Sequence, residues 1–119
     1  MSLTLYGLPN CDTCRKARKW LDAAGIPFDF VDYRTQPVTA TTLKRWAAKL
    51  GGWDKLVNRA SRTWRELPGE LKAVHTDAQW LKLVSGHPTL VRRPVIETDK
   101  GDVSVGFSVS RFDARFRSR

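Results

Sequence analysis

Two short apolar segments flank one amphipathic segment at the start of this chain, and that order restricts the fold more than any other feature. Leu3-Thr4-Leu5-Tyr6-Gly7 reads as a strand and Leu8-Pro9-Asn10 as a tight connector. Thr13 to Ala24 reads as a helix, because Ala17, Trp20, Leu21 and Ala24 recur at helical spacing. Gly25 and Pro27 end it, and Phe28 to Tyr33 reads as a second strand. A strand–helix–strand unit of about 30 residues predicts a parallel pair joined by a right-handed crossover.

The rest of the chain adds a helical stretch and then a hairpin. Thr39 to Leu50 reads as a helix capped by Thr41 or Thr42, with Leu43, Trp46, Ala47 and Leu50 inward, closed by Gly51-Gly52. Trp53 to Leu71 reads as short helices broken at Pro68-Gly69, and Thr76 to Val84 as a longer one with Trp80, Leu81 and Val84 inward. Val95-Ile96-Glu97 and Val103 to Gly106 read as paired strands around a Lys100-Gly101-Asp102 turn. Val109 to Phe116 reads as a final helix, with residues 117–119 as a frayed tail. The predicted fold class is therefore α/β: a mixed four-stranded sheet in a thioredoxin-like order, with a helical insert over about residues 39–86 between the strand pairs. At 119 residues, one domain is expected.

Composition narrows the setting. No apolar run approaches the length of a membrane span, and Pro9, Asn10 and Asp12 interrupt the first apolar segment, so a cytoplasmic protein without a secretory signal is expected. Lys+Arg number 21 against 12 Asp+Glu, a net charge of +9, which suits an anionic partner or simply a solvated basic surface. No dense basic run and no nucleic-acid motif is present, so direct nucleic-acid binding is not the expectation. The tryptophans at 20, 46, 53, 64 and 80 fall at core spacings rather than forming a base-stacking platform.

The only cysteines, Cys11 and Cys14, stand where the first strand passes into the first helix. Unpaired backbone N–H groups and the helix dipole at that place favour an anion. A thiolate at Cys11 is such an anion, so its pKa should fall and its nucleophilicity near neutral pH should rise. In a reducing compartment a C-x-x-C pair points to redox or metal chemistry rather than a structural disulfide. Tetrahedral zinc would need two more ligands, and His75 and His87 are not at finger spacing, so no metal is expected.

Several motifs in order carry a resemblance. They are Leu5-Tyr6-Gly7 before Asn10-Cys11-Asp12-Thr13, Lys16-Ala17-Arg18, Asp32-Tyr33-Arg34, Leu56-Val57-Asn58-Arg59 and Thr63-Trp64-Arg65-Glu66-Leu67. After them come His87-Pro88, Arg92-Arg93-Pro94-Val95 and Val105-Gly106-Phe107-Ser108. Together they resemble the arsenate reductase ArsC family, in its Spx and YffB branches, over nearly the whole chain. The resemblance implies a thioredoxin-like fold with Cys11 as the reactive thiol. It implies that Arg93 holds an oxyanion or thiol adduct beside that cysteine, and that Pro94 is a cis proline. It also places Asn10 and Arg59 with Arg93 and Pro94 in the substrate- or anion-binding set. Cys14 lies one helical turn beyond Cys11 and could resolve a Cys11 adduct as an internal disulfide. The alternative is a small, partly buried helix residue.

One departure bears on substrate. Arsenate reductases of this family carry a further arginine after the last strand, where this chain has Gly106-Phe107-Ser108. Losing a bidentate donor weakens a site for a multiply charged anion, although Arg111 stands nearby in sequence. The leading expectation is thus a monomeric, cytosolic thiol oxidoreductase with no bound cofactor and with glutathione, or a protein thiol, as co-substrate. The second is an Spx-like redox-sensing regulator that binds the RNA polymerase α subunit. The third is arsenate reduction.

Overall fold

The computed structural model describes residues 3–117. Strands β1 (Leu3–Gly7), β2 (Asp29–Asp32), β3 (Val95–Thr98) and β4 (Val103–Val105) form one mixed sheet in the order β2-β1-β3-β4. β1 and β2 are parallel, with Leu5 opposite Phe30, while β1–β3 and β3–β4 are antiparallel. Residues 3–32 therefore form the expected parallel unit, and Gly101 closes the expected hairpin at φ +87°. The period-2 pattern of β1 gives it one buried face: Leu3, Leu5 and Gly7 are buried and Thr4 and Tyr6 only partly so.

Helices α1 (Asp12–Ala23), α2 (Ala40–Leu50), α3 (Trp53–Leu56), α4 (Arg62–Arg65), α5 (Asp77–Gly86) and α6 (Val109–Phe112) complete the fold, with 3-10 turns at Gly69–Lys72 and Pro88–Leu90. Several element boundaries shift by one or two residues from the sequence expectation, and two helix ends also differ in form. The cap of α2 is Thr39, whose side chain accepts from the Thr42 N–H; Thr41 and Thr42 lie inside the first turn. Thr39 has extended backbone (ψ 156°), the conformation a capping residue needs. The last helix changes form at Asp113 and runs on as a π-helical turn to Arg117. That wider turn still buries Phe116 beside Phe112, with ring centroids 5.3 Å apart. Of the predicted frayed tail, Arg117 is helical and residues 118–119 lie outside the described residues.

The chain packs as two compact units, residues 1–32 with 93–119, and residues 33–92. The first holds the sheet, α1 and α6. Its core joins Leu3 and Leu5 of β1, Ala17 and Leu21 of α1, Ile96 of β3 and Phe112. Trp20 closes one side edge-on to Phe112 at 5.4 Å. The second unit contains the helical insert. Its core is built around Trp46, Leu56, Val57 and Leu90, and the buried Tyr33 hydroxyl donates to the Val91 carbonyl at 3.0 Å. The tryptophans divide: Trp46 and Trp80 are buried, whereas Trp20, Trp53 and Trp64 are only partly so. Trp80 stacks between Trp53 and Trp64, with centroids 6.0 and 6.1 Å away.

Candidate active site

Cys11 is the N-cap residue of α1, with extended backbone at φ −91° and ψ 126°. Its amide donates to the Leu8 carbonyl at 3.3 Å and its carbonyl accepts from the Arg15 amide at 2.9 Å, so the connector and the first helical turn fix it from both sides. No side-chain hydrogen bond caps this helix, and of its first-turn backbone groups that of Cys14 acts on the Cys11 thiol. Cys11 is partly exposed, as a nucleophile needs to be, and Cys14 is fully buried; both are free thiols.

The sheet order brings a distant part of the chain to this place. Tyr6 pairs with Val95, so the segment entering β3 runs beside the end of β1. That segment is Arg93-Pro94, joined by the expected cis peptide bond. Burial opposes a charge on Cys11. The Cys14 backbone N–H, the Cys14 thiol and the Arg93 guanidinium together outweigh it and hold the Cys11 thiol below its ordinary value. Cys14 is its opposite. Burial, reinforced by the negative charge at Cys11, pushes its thiol up to about 12 despite a hydrogen bond from the Leu8 backbone and the charge of Arg93. The two thiols are therefore shifted in opposite directions, Cys11 toward the thiolate and Cys14 toward the thiol.

Asn10, Cys11, Cys14, Arg93 and Pro94 all fall in the first unit. Arg59 belongs to the second, where it pairs with Asp54 at 2.7 Å and lies 5.3 and 5.4 Å from the ring centroids of Trp64 and Trp80. Lys16 reaches Asp12 at 3.7 Å and Arg18 lies over the Phe30 ring at 4.5 Å. Arg111 donates to the Val105 carbonyl at 3.1 Å and to the Ser108 hydroxyl at 3.2 Å. Among the described residues, no group of three or more His, Cys, Asp or Glu side chains is placed to hold a metal ion, and no helix is long and apolar enough to cross a membrane.

Gly7 is a site residue that sequence reasoning missed. A Cβ there would stand 2.5 Å from Cys14 Sγ, so the sulfur occupies the space a side chain would take. The one available signal was the glycine ending the strand just ahead of the cysteines.

A thioredoxin-like sheet with a partly exposed, arginine-flanked cysteine at the start of its first helix defines a thiol-bearing domain of the thioredoxin-like class. The particular family follows from comparison: the ArsC family model matches residues 6–114, and the chain belongs to the ArsC family. It is 37% identical to an uncharacterized protein of Haemophilus influenzae over 96% of this chain and 98% of that one. It is 34% identical to the global transcriptional regulator Spx 1 of Lactococcus lactis, over 89% of this chain and 82% of the regulator. The solved structure of a YFFB protein superposes with a TM-score of 0.86 at 38% identity, covering 94% of this chain and 96% of that one.

Proposed function

We propose that this protein is a glutathione-dependent thiol oxidoreductase with Cys11 as its nucleophile. The observation that carries the reading is the partly exposed Cys11 thiol at the N-cap of α1, held below its ordinary pKa by the Cys14 backbone amide and Arg93. In the forward step the thiolate attacks the glutathionyl sulfur of a mixed disulfide. A Cys11–glutathione disulfide forms, the original S–S bond breaks, and the departing thiolate takes a proton from solvent. A free glutathione thiolate then attacks the glutathionyl sulfur of that adduct, releasing oxidised glutathione and restoring the Cys11 thiolate, so that one glutathione thiol and the mixed disulfide become the free substrate thiol and oxidised glutathione. Arg93 steadies the anionic sulfur or a glutathione carboxylate by charge-assisted hydrogen bonds. The test is turnover of a glutathionylated peptide with reduced glutathione. The wild-type protein should turn over and Cys11→Ser should lose activity to background; full activity in Cys11→Ser would sink the reading.

A second reading is supported by the similarity to regulators named Spx, by the C-x-x-C pair and by the net charge of +9. In it the oxidation state of the cysteines controls docking on the RNA polymerase α subunit. Capture of polymerase that differs between reduced and oxidised protein would favour it over catalysis. Arsenate reduction has the least support, because Gly106-Phe107-Ser108 stands where arsenate reductases are expected to carry their further arginine and Arg111 is engaged with Val105 and Ser108.

A further inference from the structure

We propose that Arg111 is a specificity-determining residue of this site: it holds a carboxylate of the substrate while Cys11 attacks the disulfide sulfur, so that anionic peptide disulfides are preferred over neutral ones. The role deepens the reading of Cys11 as the nucleophile and rests on it.

The sheet sets the two residues at one end. Tyr6 of β1, Val95 of β3 and Val105 of β4 lie in one row across the strands. Because β1 and β4 both run antiparallel to β3, the exit of β1, the entry of β3 and the exit of β4 share one end of the sheet. Cys11 follows the first, Arg93-Pro94 precedes the second and Gly106 follows the third. The Gly106 amide donates to the Pro94 carbonyl at 2.9 Å, which ties the turn after β4 to the cis-proline segment. The ends of β1 and β4 are two strand spacings apart, about 10 Å. That is the reach of about three extended peptide residues.

Arg111 returns to this end of the sheet from α6. Its Nη2 donates to the Val105 carbonyl at 3.1 Å and its Nε to the Ser108 hydroxyl at 3.2 Å. The guanidinium lies so close over Gly106 that a Cβ there would stand 3.0 Å from Nη2. Both acceptors are neutral, and among the described residues no carboxylate pairs with the exposed Arg111. Other cations of this unit are answered: Arg15 and Lys16 by Asp12, and Arg117 by Asp113. The two bonds leave both N–H groups of Nη1 and the second of Nη2 for another acceptor. A carboxylate fits that donor set in a charge-assisted contact. Phe107 does not compete for the place, since its ring packs edge-on against Phe112 at 4.7 Å, beside the core.

The experiment follows a single attack by the full-length wild-type, Arg111→Gln and Arg111→Lys proteins, read as loss of the free Cys11 thiol by mass spectrometry. Two reagents are compared: oxidised glutathione, which carries carboxylates, and hydroxyethyl disulfide, which is neutral. With each, the Cys11 thiolate bonds to one sulfur, the S–S bond of the reagent breaks and the leaving thiolate takes a proton from solvent. The readout is the ratio of the two rate constants, in which any change in Cys11 reactivity or in the folded fraction cancels. Arg111→Gln should lower that ratio about tenfold, the loss of one charge-assisted contact. Arg111→Lys keeps the charge and should recover part of the loss. A ratio unchanged in Arg111→Gln overturns the proposal. So does a lysine variant as low as the glutamine one, since charge would then not be the cause. The ratio needs no turnover. Lost turnover of the glutathionylated peptide with an intact glutamine effect would reject only the proposed reaction, and intact turnover with an unchanged ratio would reject only the role of Arg111.

Discussion

Gly7 and Cys14 share one space, and the site depends on how they divide it. A Cβ on Gly7 would sit 2.5 Å from Cys14 Sγ, so Gly7→Ala must displace the sulfur or the strand. Overpacking of this kind costs about 1–3 kcal/mol, read as a lower urea midpoint at unchanged slope. The same change in a Cys14→Ala background should cost clearly less, because the two residues touch and their effects are not additive. Equal costs in both backgrounds would show that the contact does not matter. At this scale the sequence was uneven. Cys11 was legible because a cysteine between a strand and a helix carries its chemistry in its position. The role of Gly7 was not, since a close approach of strand and helix exists only once the chain is folded. The inequality of the two cysteines was hidden likewise: both stand in the same four-residue motif, and only burial separates them.

Elements carry the next layer, chiefly through their ends. Cys11 stands at the N-cap of α1, which no side-chain hydrogen bond closes, whereas α5 is closed by a full capping box. There Thr76 accepts from the Gln79 amide at 3.2 Å and Gln79 accepts from the Thr76 amide at 3.1 Å. Gln79 also accepts from the His75 amide at 2.7 Å, so one side chain holds two backbone donors. Thr76→Ala should cost about 1 kcal/mol in urea unfolding, and Thr76→Ser should recover most of it. No loss in the alanine variant would mean that the box is not stabilising. Helical periodicity located every long helix, because their apolar positions face a core. The ends were harder. The choice between Thr39 and its neighbours at 41 and 42 turns on backbone angles that composition does not encode, and the π-helical turn at Asp113–Arg117 leaves an ordinary i, i+4 pattern at Phe112 and Phe116.

For the whole molecule, topology makes the site. Residues 11 and 93 are far apart in sequence and meet because the order β2-β1-β3-β4 sets the end of β1 beside the start of β3. The mixed sheet was readable from element order, since a parallel unit followed by a hairpin has few ways to pair. The partners of the arginines were not readable. Arg93 acts on Cys11, while Arg59 is held by Asp54 and two tryptophan faces in the second unit. The central claim is that the fold lowers the Cys11 thiol pKa and raises that of Cys14. Alkylation by iodoacetamide across pH, read at each cysteine by mass spectrometry, tests it most directly, with Arg93→Gln alongside wild type. Cys11 should react with a midpoint below the usual thiol range of about 8.5, and Arg93→Gln should move that midpoint upward. Cys14 should stay unmodified until strongly alkaline pH, near its value of about 12. Parallel reaction of both cysteines at the ordinary thiol midpoint, unchanged in Arg93→Gln, would contradict the account.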